Sequence, residues 1–251
     1  RLIGMLPGRK TRPDRLRCRH AFTMVEIAIV VAVVAVISAL ILPALARVKQ
    51  QSHASRCVDN SRHVGAAFAV YADNNDGEYV PFKESRKVDK DASVAGDEDK
   101  AVTYWPEMLQ EYAGDDGIWH CPACDGEFGI GYSRLLAHEH GLRRVARASD
   151  LANPASTIVF GDTDLVVNPE AAPDEWQPSE VTIGPVQNRL QFEIPSSLEW
   201  SKPGTGSRRL WNRHLQRATV VFADQHAAVM SVSQMGFQEE AEISQRLWDE
   251  H

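Results

Sequence analysis

The chain has 251 residues, 43% of them hydrophobic and 24% charged, and carries a formal net charge of −7. That length suits one membrane helix and one folded domain, and the acidic balance speaks against nucleic acid as a partner. No phosphate-binding loop, nucleophile elbow or second carboxylate at a telling spacing is present, so the sequence reads as a non-enzyme with no cofactor.

In chain order, residues 1–21 form a basic leader. Arg1, Arg9, Lys10, Arg12, Arg15, Arg17 and Arg19 stand against Asp14 alone, a net +6 that leaves −13 on the remainder. The first Met is Met5, so the start is expected either upstream of Arg1 or at Met5. From Ile27 to Ala46 come twenty residues whose only polar side chain is Ser38. At about 1.5 Å per residue this run crosses a hydrocarbon core roughly 30 Å thick, and only a helix satisfies its backbone there. Basic flanks stay cytoplasmic. The expectation is a single pass through the inner membrane, with the N-terminus cytoplasmic and the acidic body exported. Glu26 sits at the leading end of the run, where a charge is costly enough to suggest a use for it.

Three fates of this segment compete. A secretory signal would be cut after Pro43-Ala44-Leu45-Ala46, releasing a soluble enzyme or binding protein. A plain anchor would stay in the membrane with no further role. The third is carried by Ala21-Phe22-Thr23-Met24-Val25-Glu26, which resembles the processing site of type IV pilins and pseudopilins. There a small residue, usually Gly but here Ala21, precedes a Phe; a Thr follows, and a Glu stands four residues after the Phe. Pro43 falls where those proteins keep a helix-softening proline. The resemblance implies that a prepilin peptidase cuts between Ala21 and Phe22 and methylates Phe22. It also implies that Glu26 meets the terminal ammonium of Phe22 on a neighbouring subunit, two buried charges that neutralise only in one register. Its partners would be that peptidase, other pilin-like subunits and the inner membrane. Its product would be a type IV pilus-like filament or a type II secretion pseudopilus. The simpler account of Glu26 is a side chain that snorkels to the headgroups.

Residues 47–75 predict an amphipathic continuation. Leu45, Val48, Cys57, Val58, Ser61, Val64, Gly65, Phe68, Tyr71 and Ala72 recur at three- and four-residue intervals, with charged and polar residues opposite. Asp73 to Pro81 then supplies turn chemistry; its Asp-Asn-Gly run does not fit a calcium loop, because Ala72 would occupy the first ligand position. Lys83 to Lys100 reads as a charged surface loop, and Tyr104–Tyr112 as a short helix with Pro106 in its first turn and Trp105, Met108, Leu109 and Tyr112 inward.

Cys121 and Cys124 form a C-x-x-C, and Cys57 is the third cysteine beyond the leader. A structural disulfide among the three is the leading reading for an exported domain. A metal held by Cys121 and Cys124 with His138 and His140 is the alternative, which would make the protein a membrane-anchored metal-binding module. A redox pair is the third reading. Ser156–Asp162 predicts a strand ending at a turn. Leu165 to Arg209 is a proline-rich insertion with one strand near Leu190–Ile194, its Trp176 and Trp200 covering the core. Ala218–Ala223 and His226–Val232 flank Asp224-Gln225 as a hairpin. Ser233 to Trp248 suggests a terminal amphipathic helix.

His214 and Asp224, nine residues apart, resemble the C-terminal signature of prepilin-like proteins named for a His, nine residues, then Asp-Gly. Gln225 stands in the place of the Gly, which argues against a tight type I′ turn. The pair is read as structural, with the imidazole bonding the hairpin backbone or the Asp224 carboxylate. Cys57, Asn60, Tyr71, Trp105 and Cys121-Pro122 fit the same resemblance. The predicted fold is α+β: a long N-terminal helix, membrane-spanning over 22–46 and amphipathic over 47–75, packed on a small, mainly antiparallel head at 76–251.

Overall fold

The computed structural model describes residues 23–87, 100–124, 129–136, 146–179, 190–194 and 207–236. Ala21, Phe22, the leader, His138, His140 and Trp200 lie outside them, as does nearly all of the expected terminal helix. Two units are distinguished, Arg1–Ala46 and Arg47–His251.

Helix α1 (Met24–Asn74) belongs to both. In the first unit its side chains are exposed throughout, from Met24 to Ala46. The run is long and apolar enough to cross a membrane. Pro43 lies within the helix without ending it.

In the second unit the buried positions of α1 are Cys57, Ser61, Val64, Gly65, Ala67, Phe68 and Ala72. That is the stripe a 3.6-residue period draws along one face. It starts later than the sequence suggested, because Leu45 and Val48 are exposed. The helix stops where the turn residues begin. Asp76 and Gly77 take left-handed φ values of 54° and 78°, and the Gly77 N–H returns to the Ala72 carbonyl at 2.8 Å.

The stretch read as a loop from Lys83 to Lys100 is a correction. Its ends pair as an antiparallel ribbon, β1 (Lys83–Lys87) with β2 (Lys100–Tyr104). Its charged residues misled because one face of a ribbon can stay in water. Helix α2 (Trp105–Ala113) follows as expected, with Trp105 and Leu109 buried and Gly114 closing it at φ 72°.

The main sheet contains β3 (Ile130–Ser133), β4 (Ile158–Val166), β5 (Gln191–Phe192), β6 (Ser207–Leu210), β7 (Ala218–Phe222) and β8 (Ala227–Met230). Five strands run in the order β5-β3-β4-β7-β8, and β6 also pairs with β4. Every pairing is antiparallel except β3 with β5. The α+β class is thus as predicted, with one parallel pair added by the insertion.

Strand β4 is shared lengthwise. Ile158 to Gly161 pairs with β7, and Thr163 to Val166 pairs with β6. The chain between β6 and β7, residues 211–217, therefore loops out beside the middle of β4, at Asp162. Sequence reasoning ended this strand at Asp162; it runs on to Val166.

Each face of the sheet carries a core. On one, Val64, Phe68 and Ala72 of α1 meet Tyr79, Trp105, Leu109, Tyr132, Phe160 and Val221. On the other, Val166, Trp176, Phe192, Leu210, Val220 and Phe222 pack with Val232 and Met235. Trp176 covers the core as expected, and the β7–β8 hairpin forms as predicted. Its turn takes up the Gly-to-Gln difference by holding Gln225 at φ 77°, with the Gln225 N–H bonded to the Phe222 carbonyl at 2.9 Å. Such a conformation suits glycine better than glutamine. After β8 the described chain makes a 3₁₀ turn, Val232–Met235, closed by Gly236.

Candidate functional site

Two places draw attention, one in each unit. At the start of α1, Thr23 and Glu26 form a reciprocal capping box. The Glu26 carboxylate accepts from the Thr23 backbone N–H at 3.0 Å and hydroxyl at 3.1 Å, and the Thr23 hydroxyl accepts from the Glu26 N–H at 3.2 Å. The pattern T-x-x-E ahead of an apolar run is the sequence signal for this, and sequence reasoning passed over it. It gives Thr23 and Glu26 a local role even in a plain membrane anchor.

The second place is in the head. Cys57 comes from α1, and Cys121 from the turn after the 3₁₀ segment Asp116–Trp119. Asp162 comes from the middle of β4, and His214 from the loop between β6 and β7. Their ligand atoms lie within 4.8 Å of one another. The Cys57 thiol donates to Asp162 Oδ1 at 3.1 Å, and Cys121 Sγ lies 3.2 Å from His214 Nε2. His214 Nε2 is also 3.8 Å from Asp162 Oδ2. The four residues are between 0% and 4% exposed.

Local structure explains why they meet. Asn60, one turn beyond Cys57, donates from Nδ2 to the His120 carbonyl at 2.9 Å and so fixes the segment that presents Cys121. Asp162 stands where β4 changes partner, and its Oδ2 accepts the Thr219 N–H at 2.7 Å. His214 is set by a two-residue turn. The His214 and Arg217 backbones exchange hydrogen bonds at 2.8 and 2.9 Å, while Leu215 and Gln216 hold φ values of 50° and 60°. Two positive φ angles in succession are the mark of a type I′ turn, which favours Gly and Asn. Leu and Gln there cost of order 1–3 kcal/mol each.

Arg213 completes the cluster. Its side chain is 2% exposed and lies 3.5 Å from Asp162 Oδ1 and 3.6 Å from Asp164 Oδ2. It donates to the Gly129 carbonyl at 2.6 Å and to the Thr163 carbonyl. Gly129 must be glycine here, since a Cβ would stand 2.5 Å from Cys121 Cβ and 2.7 Å from Arg213 Nη1.

The charges bias one another. The neighbouring Cys57 thiol, then His214 and Arg213, pull the Cys121 thiol below its ordinary value against the cost of burial. Cys121, burial and the Asp162 carboxylate push Cys57 up. Burial also lifts the Asp162 carboxyl above the usual range, opposed by Arg213. Burial disfavours the His214 imidazolium, but the Cys121 bond and Asp162 outweigh it and raise its pKa.

This is not a nucleophilic relay. In such a relay the carboxylate orients the imidazole through the nitrogen opposite the nucleophile. Here Cys121 and Asp162 both face Nε2, and all are buried. It is instead a converging set of two sulfurs, one nitrogen and one carboxylate.

The sequence expectations are corrected accordingly. His214 does not meet Asp224. The extended strand β7 lies between them, at about 3.3 Å per residue, and Asp224 instead accepts from His226 in the hairpin turn. Cys57, Cys121 and Cys124 are thiols rather than disulfide partners. Of the metal candidates, His138 and His140 lie outside the described residues, while Cys121 converges with Cys57, Asp162 and His214. Asp162 and Arg213 were missed, though an Asp inside an otherwise apolar strand-like run is a signal for a buried charge. Comparison of the chain with protein-family models, curated proteins and solved structures returned no match.

Proposed function

We propose that this protein is a pilin-like structural subunit, held in the membrane by the first half of α1 and assembled with its neighbours through that same helix. The observation that carries the reading is the division of labour within α1. The twenty residues from Ile27 to Ala46, apolar but for Ser38, are exposed, while from Cys57 onward one face of the helix is buried in the core of the head. An apolar surface of that extent needs lipid or other helices to cover it. The Phe22-to-Glu26 motif and Pro43 add the resemblance to type IV pilins and pseudopilins. On this reading a prepilin peptidase removes residues 1–21 and methylates Phe22, the body is exported, and the subunit joins a pilus-like or pseudopilus-like filament.

The Thr23–Glu26 capping box favours a second reading, a plain single-span anchor that keeps its leader. Mass spectrometry of the mature N-terminus separates the two. A methylated Phe22 is expected; an intact leader supports the anchor, and a terminus at Arg47 supports secretion of a soluble head.

A further inference from the structure

We propose that Cys57, Cys121, Asp162 and His214 form a closed tetrahedral zinc site that staples α1 to the sheet of the head. The inference concerns the head alone and stands whether or not the chain enters a filament. Its basis is the convergence of four ligating side chains from four separate segments onto one point. Their atoms are already within 4.8 Å of one another. With bonds of about 2.3 Å to sulfur and about 2.0–2.2 Å to nitrogen and oxygen, tetrahedral zinc sets its ligand atoms roughly 3.3–3.8 Å apart. The two distances of 3.1 and 3.2 Å and the one of 3.8 Å bracket that spacing. Only small side-chain shifts separate the observed arrangement from a coordination shell.

The donor set selects the metal. Two thiolates, an imidazole and a carboxylate suit a borderline-soft divalent ion that accepts tetrahedral geometry. Four protein ligands leave no open position, and all four are buried, so the site is structural and not catalytic.

Charge points the same way. Two thiolates and a carboxylate carry −3, and zinc leaves −1. The buried Arg213 guanidinium, 3.5 Å from Asp162 Oδ1, supplies the offset. Asp162 also takes the Thr219 N–H on Oδ2, a hydrogen bond that orients a ligating carboxylate. Binding displaces the thiol protons to solvent as the Zn–S bonds form. A Cys57–Cys121 disulfide would use both sulfurs but leave a buried carboxylate and imidazole facing a neutral bond.

The test uses the full chain in detergent, reduced and stripped with a chelator, with Co²⁺ alone and then Zn²⁺ as probes. One Co²⁺ per chain is expected, with thiolate charge-transfer and tetrahedral ligand-field bands, displaced by one Zn²⁺. Cys57→Ser and Asp162→Asn each weaken Zn²⁺ binding by on the order of 100-fold or more, the upper end of what loss of a supporting partner costs. Cys124→Ser leaves binding unchanged. X-ray absorption on the zinc-loaded wild type reads the shell without relying on the variants to fold: two sulfurs at about 2.3 Å and two lighter atoms at about 2.0–2.2 Å. The proposal is overturned if the reduced chain takes up no metal, or if the shell has another composition. It is equally overturned if Cys124→Ser abolishes binding while Asp162→Asn does not.

Discussion

The two halves of α1 make an instructive pair. Met24–Ala46 is far the more hydrophobic, yet its side chains are exposed; the stretch from Cys57 to Ala72 mixes charges and apolar residues, yet supplies seven buried positions. Within the head, burial follows the period of the apolar residues and not their number, because only one face of the helix meets the sheet. The first half has no such face. Being apolar all round, it matches an apolar surrounding on every side, which is what a bilayer or a bundle of like helices provides.

The contrast can be tested by the same kind of cut on each side. Phe68 is 2% exposed and packs against Tyr79 and Phe160, with ring centroids 4.6 and 5.2 Å away. Phe68→Ala is expected to lower the stability of the head by about 3–5 kcal/mol. Ile37→Ala, in the exposed half, should leave it within about 0.5 kcal/mol. Denaturant unfolding of the full chain in detergent, followed by the near-ultraviolet signal of the head, decides this. Equal losses would mean that the outer half is part of the same cooperative unit.

A titration sharpens the same distinction, since no ionisable side chain lies between Ile27 and Ala46. Burial, with Asp150 nearby, pushes the Tyr79 hydroxyl up to about 12, and burial raises Tyr132 well above its ordinary value. An unfolded tyrosine ionises near pH 10. The stabilising effect of these neutral phenols is therefore full below about pH 10 and is lost as the pH rises through about 12. Absorbance and circular dichroism should show a late phenolate class that ionises as the head loses its packing while the helicity of the outer half persists. Ionisation of all five tyrosines near pH 10 in a folded head would contradict it.

The smallest effect is at the first turn of α1. Glu26→Ala should cost about 1 kcal/mol of local helix stability, seen as faster amide exchange around Thr23–Ile27. Glu26→Gln keeps a capping-box side chain and should exchange like the natural protein. If the two variants exchange alike, the charge and not the hydrogen-bond geometry holds that turn. The same pair bears on assembly, because a partnership with a neighbour's ammonium needs the charge that Gln lacks.

Much of this was legible in the chain. The apolar run, the rod's end at Asp73–Gly77, helix α2 and the β7–β8 hairpin are local patterns of hydropathy and turn chemistry, and each formed where those patterns put it. The ribbon at Lys83–Tyr104 was not legible, because its strands lack the apolar alternation that marks a half-buried strand. His214 lies against Cys121 and Asp162 and not Asp224, since spacing along the chain cannot show that a strand will carry Asp224 away.

The sequence by itself determined the membrane-compatible run, helix α2 and the β7–β8 hairpin, because those properties are decided among residues within a few positions of one another. Only the tertiary structure decided that Cys57, Cys121, Asp162 and His214 share one buried point around Arg213. These residues are up to 157 positions apart, and what joins them is the change of partner along β4, a feature of sheet pairing that no local pattern encodes.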